Sequence, residues 1–274
     1  MKTILITGCS SGIGYDAAKA LSATGWRVLA TCRAEEDCAR LRGLGLESFR
    51  LDHADPESVR TGCSEAVARA GTLDAVFING AFALPAMTED LPRAGLESLY
   101  AANVFGPHQI VTELMPHFRE RGAGRIVFNS SVLGFVALKC RAAYVSSKFA
   151  LEGYADCLRM ELAGSGIHVS LIEPGPIPTE IRRNAQKQFE RWIDWRGSRH
   201  TAFYENELMP RLYDESGTPD RFERPPSAVT EKLRHAIEAD RPRPRYYVTT
   251  VTHIAGVLRR ILPTRALDAV LSRN

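Results

Sequence analysis

The chain has 274 residues, 45% of them hydrophobic and 24% charged, with a formal net charge of +3. That length buries a full core without disulfides or metal, and so small an excess of charge gives no basis for nucleic-acid binding. The six cysteines, Cys9, Cys32, Cys38, Cys63, Cys140 and Cys157, form no C-x-x-C pair, which predicts reduced thiols in a cytoplasmic setting and no metal site. No signal peptide is expected, and no apolar run approaches the roughly 18 residues of a membrane-crossing helix.

In chain order, residues 2–7 read as a compact apolar strand and residues 14–24 as a helix of small residues closed by Gly25. A second strand follows over 26–31, a helix over 33–44 and a third strand over 47–51. Asp55 and Pro56 open another helix, as N-cap and first-turn residue. Residues 73–78 form a continuous apolar run of buried-strand type. A long helix is predicted over 96–121, a strand over 125–129, a helix over 143–163 and a strand over 168–172. Alternating helices and fully apolar strands predict one α/β domain spanning 1–274, a Rossmann-type doubly wound parallel sheet flanked by helices. The pattern breaks after Gly175. Residues 180–227 are rich in Arg, aromatics and Pro with weak periodicity, and read as a lid inserted at the carboxyl ends of the strands. A helix over 228–239, a strand over 246–249 and a C-terminal amphipathic helix over 251–274 complete the chain.

The first strand runs into Thr7-Gly8-Cys9-Ser10-Ser11-Gly12-Ile13-Gly14. Gly8 permits the tight turn, Gly12 lets backbone approach a pyrophosphate, and Gly14 lets helix pack on strand. The helix N-terminus adds free N–H groups and a partial positive charge, with Ser10 and Ser11 as hydroxyl donors. Further on, Tyr144 and Lys148 are four apart on a helix and share a face.

These residues resemble the T-G-x-x-x-G-I-G and Y-x-x-x-K motifs of the short-chain dehydrogenases/reductases. The likeness covers residues 2–180, and over the full length it resembles bacterial aldehyde reductases and the hydroxysteroid and retinol dehydrogenase branch. By this resemblance Asp52, with His53 beside it, lies at the adenine, and Asn103, Ser131, Tyr144 and Lys148 form a catalytic tetrad. Pro174-Gly175-Pro176-Ile177-Pro178-Thr179 matches the family's P-G-x-x-x-T, which places Pro174, Gly175, Ile177 and Thr179 at the cofactor. One element departs. Where the family has N-N-A-G, this chain has Ile78-Asn79-Gly80-Ala81, so only the second Asn is kept and the small pair is inverted. Asn79, Gly80 and Ala81 are still expected to admit the cofactor, with the first Asn's hydrogen bonds replaced in some other way.

An ordinary tyrosine titrates near 10, and the Lys148 ammonium is expected to lower that value so that Tyr144 can donate and accept a proton. Ser131 would hold the substrate oxygen. The resemblance further implies that Lys148 binds the nicotinamide ribose and that Asn103 holds a water relaying protons to Lys148. At the end of the second strand the usual acidic residue is replaced by Cys32, and Arg33 follows. A guanidinium there suits a 2′-phosphate, which predicts NADP(H) rather than NAD(H).

The resembled enzymes act on lipophilic aldehydes, ketones or alcohols. Phe189, Trp192, Trp195, Phe203, Tyr204 and Leu208 of the lid would suit such a pocket, and ordinary packing is the competing reading. The resemblance also implies a homodimer or homotetramer. In the tail, Ile254, Val257, Leu258, Ile261 and Leu262 stand beside Arg259, Arg260 and Arg265. That pattern fits a helix docked on the domain or on a second copy, or one lying on an anionic membrane. A non-catalytic NADP(H)-binding redox regulator on the same fold is the alternative function, and the complete tetrad argues against it. The glycine spacing and chain length disfavour an epimerase or dehydratase of the extended relatives.

Overall fold

The computed structural model describes residues 1–214, 216 and 218–272. Among them, β1 (Thr3–Ile6), β2 (Arg27–Cys32), β3 (Glu47–Arg50), β4 (Ala75–Ile78), β5 (Gly124–Asn129), β6 (Ile167–Glu173) and β7 (Arg245–Tyr247) form one sheet in the order β3-β2-β1-β4-β5-β6-β7. Every pairing is parallel. The helices are α1 (Gly12–Ala23), α2 (Glu35–Gly43), α3 (Pro56–Ala70), α4 (Arg93–Tyr100), α5 (Gly106–Arg121), α6 (Ala142–Glu161), α7 (Ile181–Trp192), α8 (Thr201–Phe203), α9 (Met209–Leu212), α10 (Ser227–Glu238), α11 (Thr250–Ile261) and α12 (Thr264–Leu271).

The strands are apolar throughout because both faces are covered. In β1, Ile4 and Ile6 join a core with Ala17, Leu21, Leu41 and Leu233, beneath α1, α2 and α10. Leu5 points the other way, to Ile110, Phe118 and Leu151 beneath α5 and α6. β1 pairs with β2 on one side and β4 on the other. The direction of winding reverses there, and the reversal opens a crevice at the carboxyl ends of those strands, where ligands bind in such sheets.

Three expectations change. The helix predicted over 96–121 is α4, a π-helical turn at Ala101–Phe105, and α5. Pro107 carries no N–H, so it cannot supply the bond that an α-helix would send to the Asn103 carbonyl. The segment 180–227 is far more regular than its periodicity suggested. α7, α8, a π-helical turn at Tyr204–Leu208 and α9 pack with Leu84 and Leu99 into a third apolar cluster. Glu215 and Gly217 of that segment lie outside the described residues. The tail expected as one helix is two, because Pro263 breaks it and holds Leu262 extended (ψ 135°). Arg273 and Asn274 lie outside the described residues. All six cysteines are free thiols, and only Cys157 is exposed.

Candidate active site

The crevice is a cleft of about 900 Å³. Its floor is the turn after β1. Gly8 and Gly12 have φ of 70° and 55°, a left-handed region that glycine occupies without strain. A Cβ at Gly14 would strike the Gly8 carbonyl and come within 2.8 Å of Asn79 Nδ2. α1 then starts with no side-chain cap from Ser11 and no acidic residue in its first turn. Its N–H groups are left to the cleft, and a polyanion such as a pyrophosphate fits that need.

Asn79 ties this turn to the sheet. Its Nδ2 donates to the Thr7 carbonyl at 3.0 Å and the Gly8 carbonyl at 3.2 Å, and its Oδ1 accepts from Asn129 Nδ2 at 2.8 Å. The position held by the family's first Asn is Ile78, buried in the core beneath α5, and it needs no polar replacement. The inverted small pair also has a cause. The His53 ring lies against Gly80, where a Cβ would come within 3.1 Å of it. His53 is buried, and burial brings its pKa down to about 4, against a bond to the Ala102 carbonyl. Nδ1 faces that carbonyl at 3.2 Å and Nε2 has no partner.

Tyr144, Ser131 and Lys148 meet on one wall. α6 carries Tyr144 and Lys148 one turn apart, and Ser131 follows β5. Ser131 Oγ accepts from Leu133 N at 3.1 Å, which leaves its proton free to donate. Lys148 Nζ donates to the Asn129 carbonyl at 2.7 Å and lies 5.5 Å from the centre of the Tyr144 ring. The expected electrostatics reverse in the protein alone. Burial pushes the Tyr144 phenol up to about 12, opposed by a hydrogen bond with Ser131. The same burial pulls the Lys148 ammonium down to about 8, opposed by the Glu152 carboxylate. Desolvation outweighs the cation one turn away.

Every residue that the sequence places at the cofactor or in the tetrad lines this cleft, except Gly14 and Asn103. Asn103 is buried behind it. Its Oδ1 accepts from Phe82 N, and its Nδ2 donates to the Phe82 carbonyl and to Ser147 Oγ. Both amide protons are engaged, and Oδ1 keeps one lone pair beyond the bond from Phe82 N. Cys32 faces the core and is fully buried, so Arg33 is the first residue beyond β2 to face the cleft.

Sequence reasoning missed other residues. Asp37 of α2 lines the cleft beside Arg33 and pairs with Arg40 at 3.1 Å. Arg183, Lys187 and Arg191 of α7 line the opposite wall at helical spacing. The lid aromatics do not line it. Phe189, Tyr204 and Leu208 are buried in the third cluster, with Trp192, Trp195 and Phe203 packed against it. Behind Lys148, Arg245 bridges Glu152 at 3.0 Å and Glu173 at 3.1 Å. Burial and the neighbouring Glu152 push the Glu173 carboxyl well up, opposed by the Arg245 guanidinium. The available signals were the spacing Tyr144, Lys148, Glu152 on one helix face and a lone Glu inside an apolar strand.

The sequence profile of the short chain dehydrogenase family matches residues 2–190. The chain is 40% identical to the oxidoreductase YbbO of Escherichia coli over 98% of its own length and 94% of that protein. It is 31% identical to human retinol dehydrogenase 16, over 98% and 87%. A short-chain dehydrogenase from Streptomyces avermitilis superposes with a TM-score of 0.78 at 26% identity, covering 98% of this chain and 95% of that one. Among the described residues no helix is long and apolar enough to cross a membrane.

Proposed function

The chain belongs to the short-chain dehydrogenase/reductase family of nicotinamide-dependent oxidoreductases, and from that premise we propose an NADP(H)-dependent reductase interconverting lipophilic aldehydes or ketones with their alcohols. The observation that carries the reading is the meeting of Tyr144, Ser131 and Lys148 on one wall of the cleft whose floor is the glycine turn. The bound dinucleotide supplies the hydride. Gly8, Ser10, Ser11, Gly12, Ile13 and the N-terminus of α1 would hold its pyrophosphate, together with Pro174, Gly175, Ile177 and Thr179. Asp52 and His53 would hold the adenine. Arg33 would hold the 2′-phosphate through charge and a fork of donors.

Ser131 donates to the substrate oxygen and Tyr144 gives that oxygen its proton. A phenol near 12 gives up its proton reluctantly, and the positive charge of an oxidised nicotinamide would help to bring it down. Lys148 contributes as an ammonium, present below its pKa of about 8. Asn103, behind the cleft, would hold a water that relays protons to Lys148, with a lone pair of Oδ1 still open to it.

Support for NADP(H) comes from the cations of the cleft. Arg33, Arg183, Lys187 and Arg191 outnumber Asp37, Asp52 and Glu180. An apolar substrate body is supported by Phe82 and Ile181 in the lining and by the likeness to a retinol dehydrogenase. The 180–227 segment is the lid. Phe105, exposed at the end of the π-helical turn, and Phe149, exposed on α6, support a helix-mediated homodimer or homotetramer.

The test follows NADPH and NADH oxidation with decanal, retinal and small polar carbonyls, with Tyr144→Phe alongside. The variant is expected to lose turnover by at least about 10²-fold, the scale of general acid catalysis, and to keep its cofactor affinity. Normal turnover in Tyr144→Phe refutes the tyrosine's role. Preference for small polar carbonyls refutes the substrate class.

A further inference from the structure

α11 is mounted with its apolar face outward. Thr252, Ala255 and Gly256 are buried, and a Cβ at Gly256 would lie 2.6 Å from the Tyr247 ring. Small residues therefore seat the helix closely on β7. On the opposite face stand Ile254, Val257 and Ile261, which are 47%, 53% and 72% exposed. Their i, i+3, i+7 spacing makes one stripe along the helix. Docking on the domain, the use expected for this face, is excluded by its exposure.

Charge identifies what covers it. α11 carries Arg259 and Arg260 and no acidic residue, and α12 adds Arg265, three residues before Asp268. Arg259, Arg260 and Arg265 are exposed, and among the described residues no carboxylate pairs with them. A second copy meeting this stripe about a two-fold axis would bring arginine against arginine. An anionic bilayer offers apolar depth to the three side chains and phosphates to the guanidiniums. α11 starts at Thr250, just after Thr249, which packs against Gly175 on the cleft wall.

We infer that α11 is a docking helix for an anionic membrane surface, with Ile254, Val257 and Ile261 entering the interface and Arg259, Arg260 and Arg265 meeting phospholipid headgroups. The inference does not rest on the enzymatic reading, and Tyr144→Phe should bind vesicles as the parent does.

The test is flotation of the full chain with phosphatidylcholine vesicles with and without 30% phosphatidylglycerol (about 30 mol%, a typical anionic fraction). Light scattering of the eluted protein gives the oligomeric mass. The parent should float only with the anionic vesicles. Each arginine near such a surface is worth about fivefold in binding, so Arg259→Gln with Arg260→Gln should weaken partition by about 25-fold. Ile254→Ser with Ile261→Ser should abolish flotation with an unchanged circular dichroism spectrum and mass. Absence of flotation by the parent overturns the inference, as does equal flotation by both double variants. A drop in oligomeric mass in the isoleucine variant also overturns it and assigns the stripe to a second copy.

Discussion

Asn79→Asp changes one atom type and tests whether the glycine turn is held in place from β4. In the native chain Nδ2 donates to the carbonyls of Thr7 and Gly8 at 3.0 and 3.2 Å. The substitution puts a carboxylate oxygen opposite both. Two hydrogen bonds are lost, about 1 kcal/mol each, and two carbonyls are left facing a negative oxygen. The bond from Asn129 Nδ2 survives, and about 1 kcal/mol more for the carbonyls facing a negative oxygen brings the loss to about 3 kcal/mol. At about 2–4 °C per kcal/mol for a domain of this size, the melting temperature should fall by about 6–12 °C at pH 7. The sign with pH is fixed. The new carboxyl has a raised pKa in the fold, so its penalty grows as pH rises above the unfolded value of about 4. The gap to the parent should narrow on acidification, because a protonated acid can donate to one of the two carbonyls. Thermal unfolding by circular dichroism across pH reads both effects, and titration with NADPH reads the expected loss of affinity. A melting temperature within about 2 °C of the parent at pH 7 refutes the account.

Arg33→Ala should weaken NADPH binding by about 10- to 100-fold, the worth of one charge-assisted hydrogen bond set, and leave NADH unchanged; equal losses for both refute a 2′-phosphate role. Lys148→Met should inactivate the enzyme and stabilise the cofactor-free fold at pH 7. The folded pKa of about 8 lies below the ordinary 10.5, so the parent carries a penalty of roughly 3 kcal/mol below pH 8 that is relieved as pH rises from 8 to 10.5. Urea denaturation should show parent stability rising through that window and the variant flat. Glu173→Gln should remove the opposite trend. A carboxyl whose folded pKa is raised gives stability that is full below its unfolded pKa near 4.5 and fades as pH rises toward the folded value. A parent and variant with parallel pH profiles from 5 to 9 refute a raised Glu173 carboxyl.

Fold and cleft were legible in the sequence because they depend on period and spacing. The apolar runs at residues 2–7 and 73–78 fall at the two strands whose junction opens the crevice, and glycine spacing locates the phosphate cradle between them. The packing of residues 180–227 was not legible. α7 buries Phe189 and Ala185 in a small local cluster, and turns Arg183, Lys187 and Arg191 to the cleft. Composition registers its aromatics and says nothing of which side they take. The tail shows the same limit. Its pattern gave a helix with one apolar face, and only the close seating of Gly256 on Tyr247 determines that this face points outward.

Electrostatics were the least legible part, for a physical reason. Spacing can put Lys148 one turn from Tyr144, and Coulomb attraction alone then argues for an acidic phenol. Burial acts on both partners at once. It disfavours the phenolate and the ammonium alike, and likewise the imidazolium of His53, so three groups around one cleft all lean toward their neutral forms. Of the three, Lys148 is the group fully charged in the unfolded chain at neutral pH, so its lowered pKa is the one that costs stability there. A positively charged nicotinamide would favour the Tyr144 phenolate, and an anionic phosphate chain would meet the N–H groups of α1. The cofactor-free protein should gain more stability from the full dinucleotide than from nicotinamide mononucleotide and 2′,5′-ADP supplied together at the same concentration, because the joined ligand engages both ends of the cleft at once and so binds more tightly.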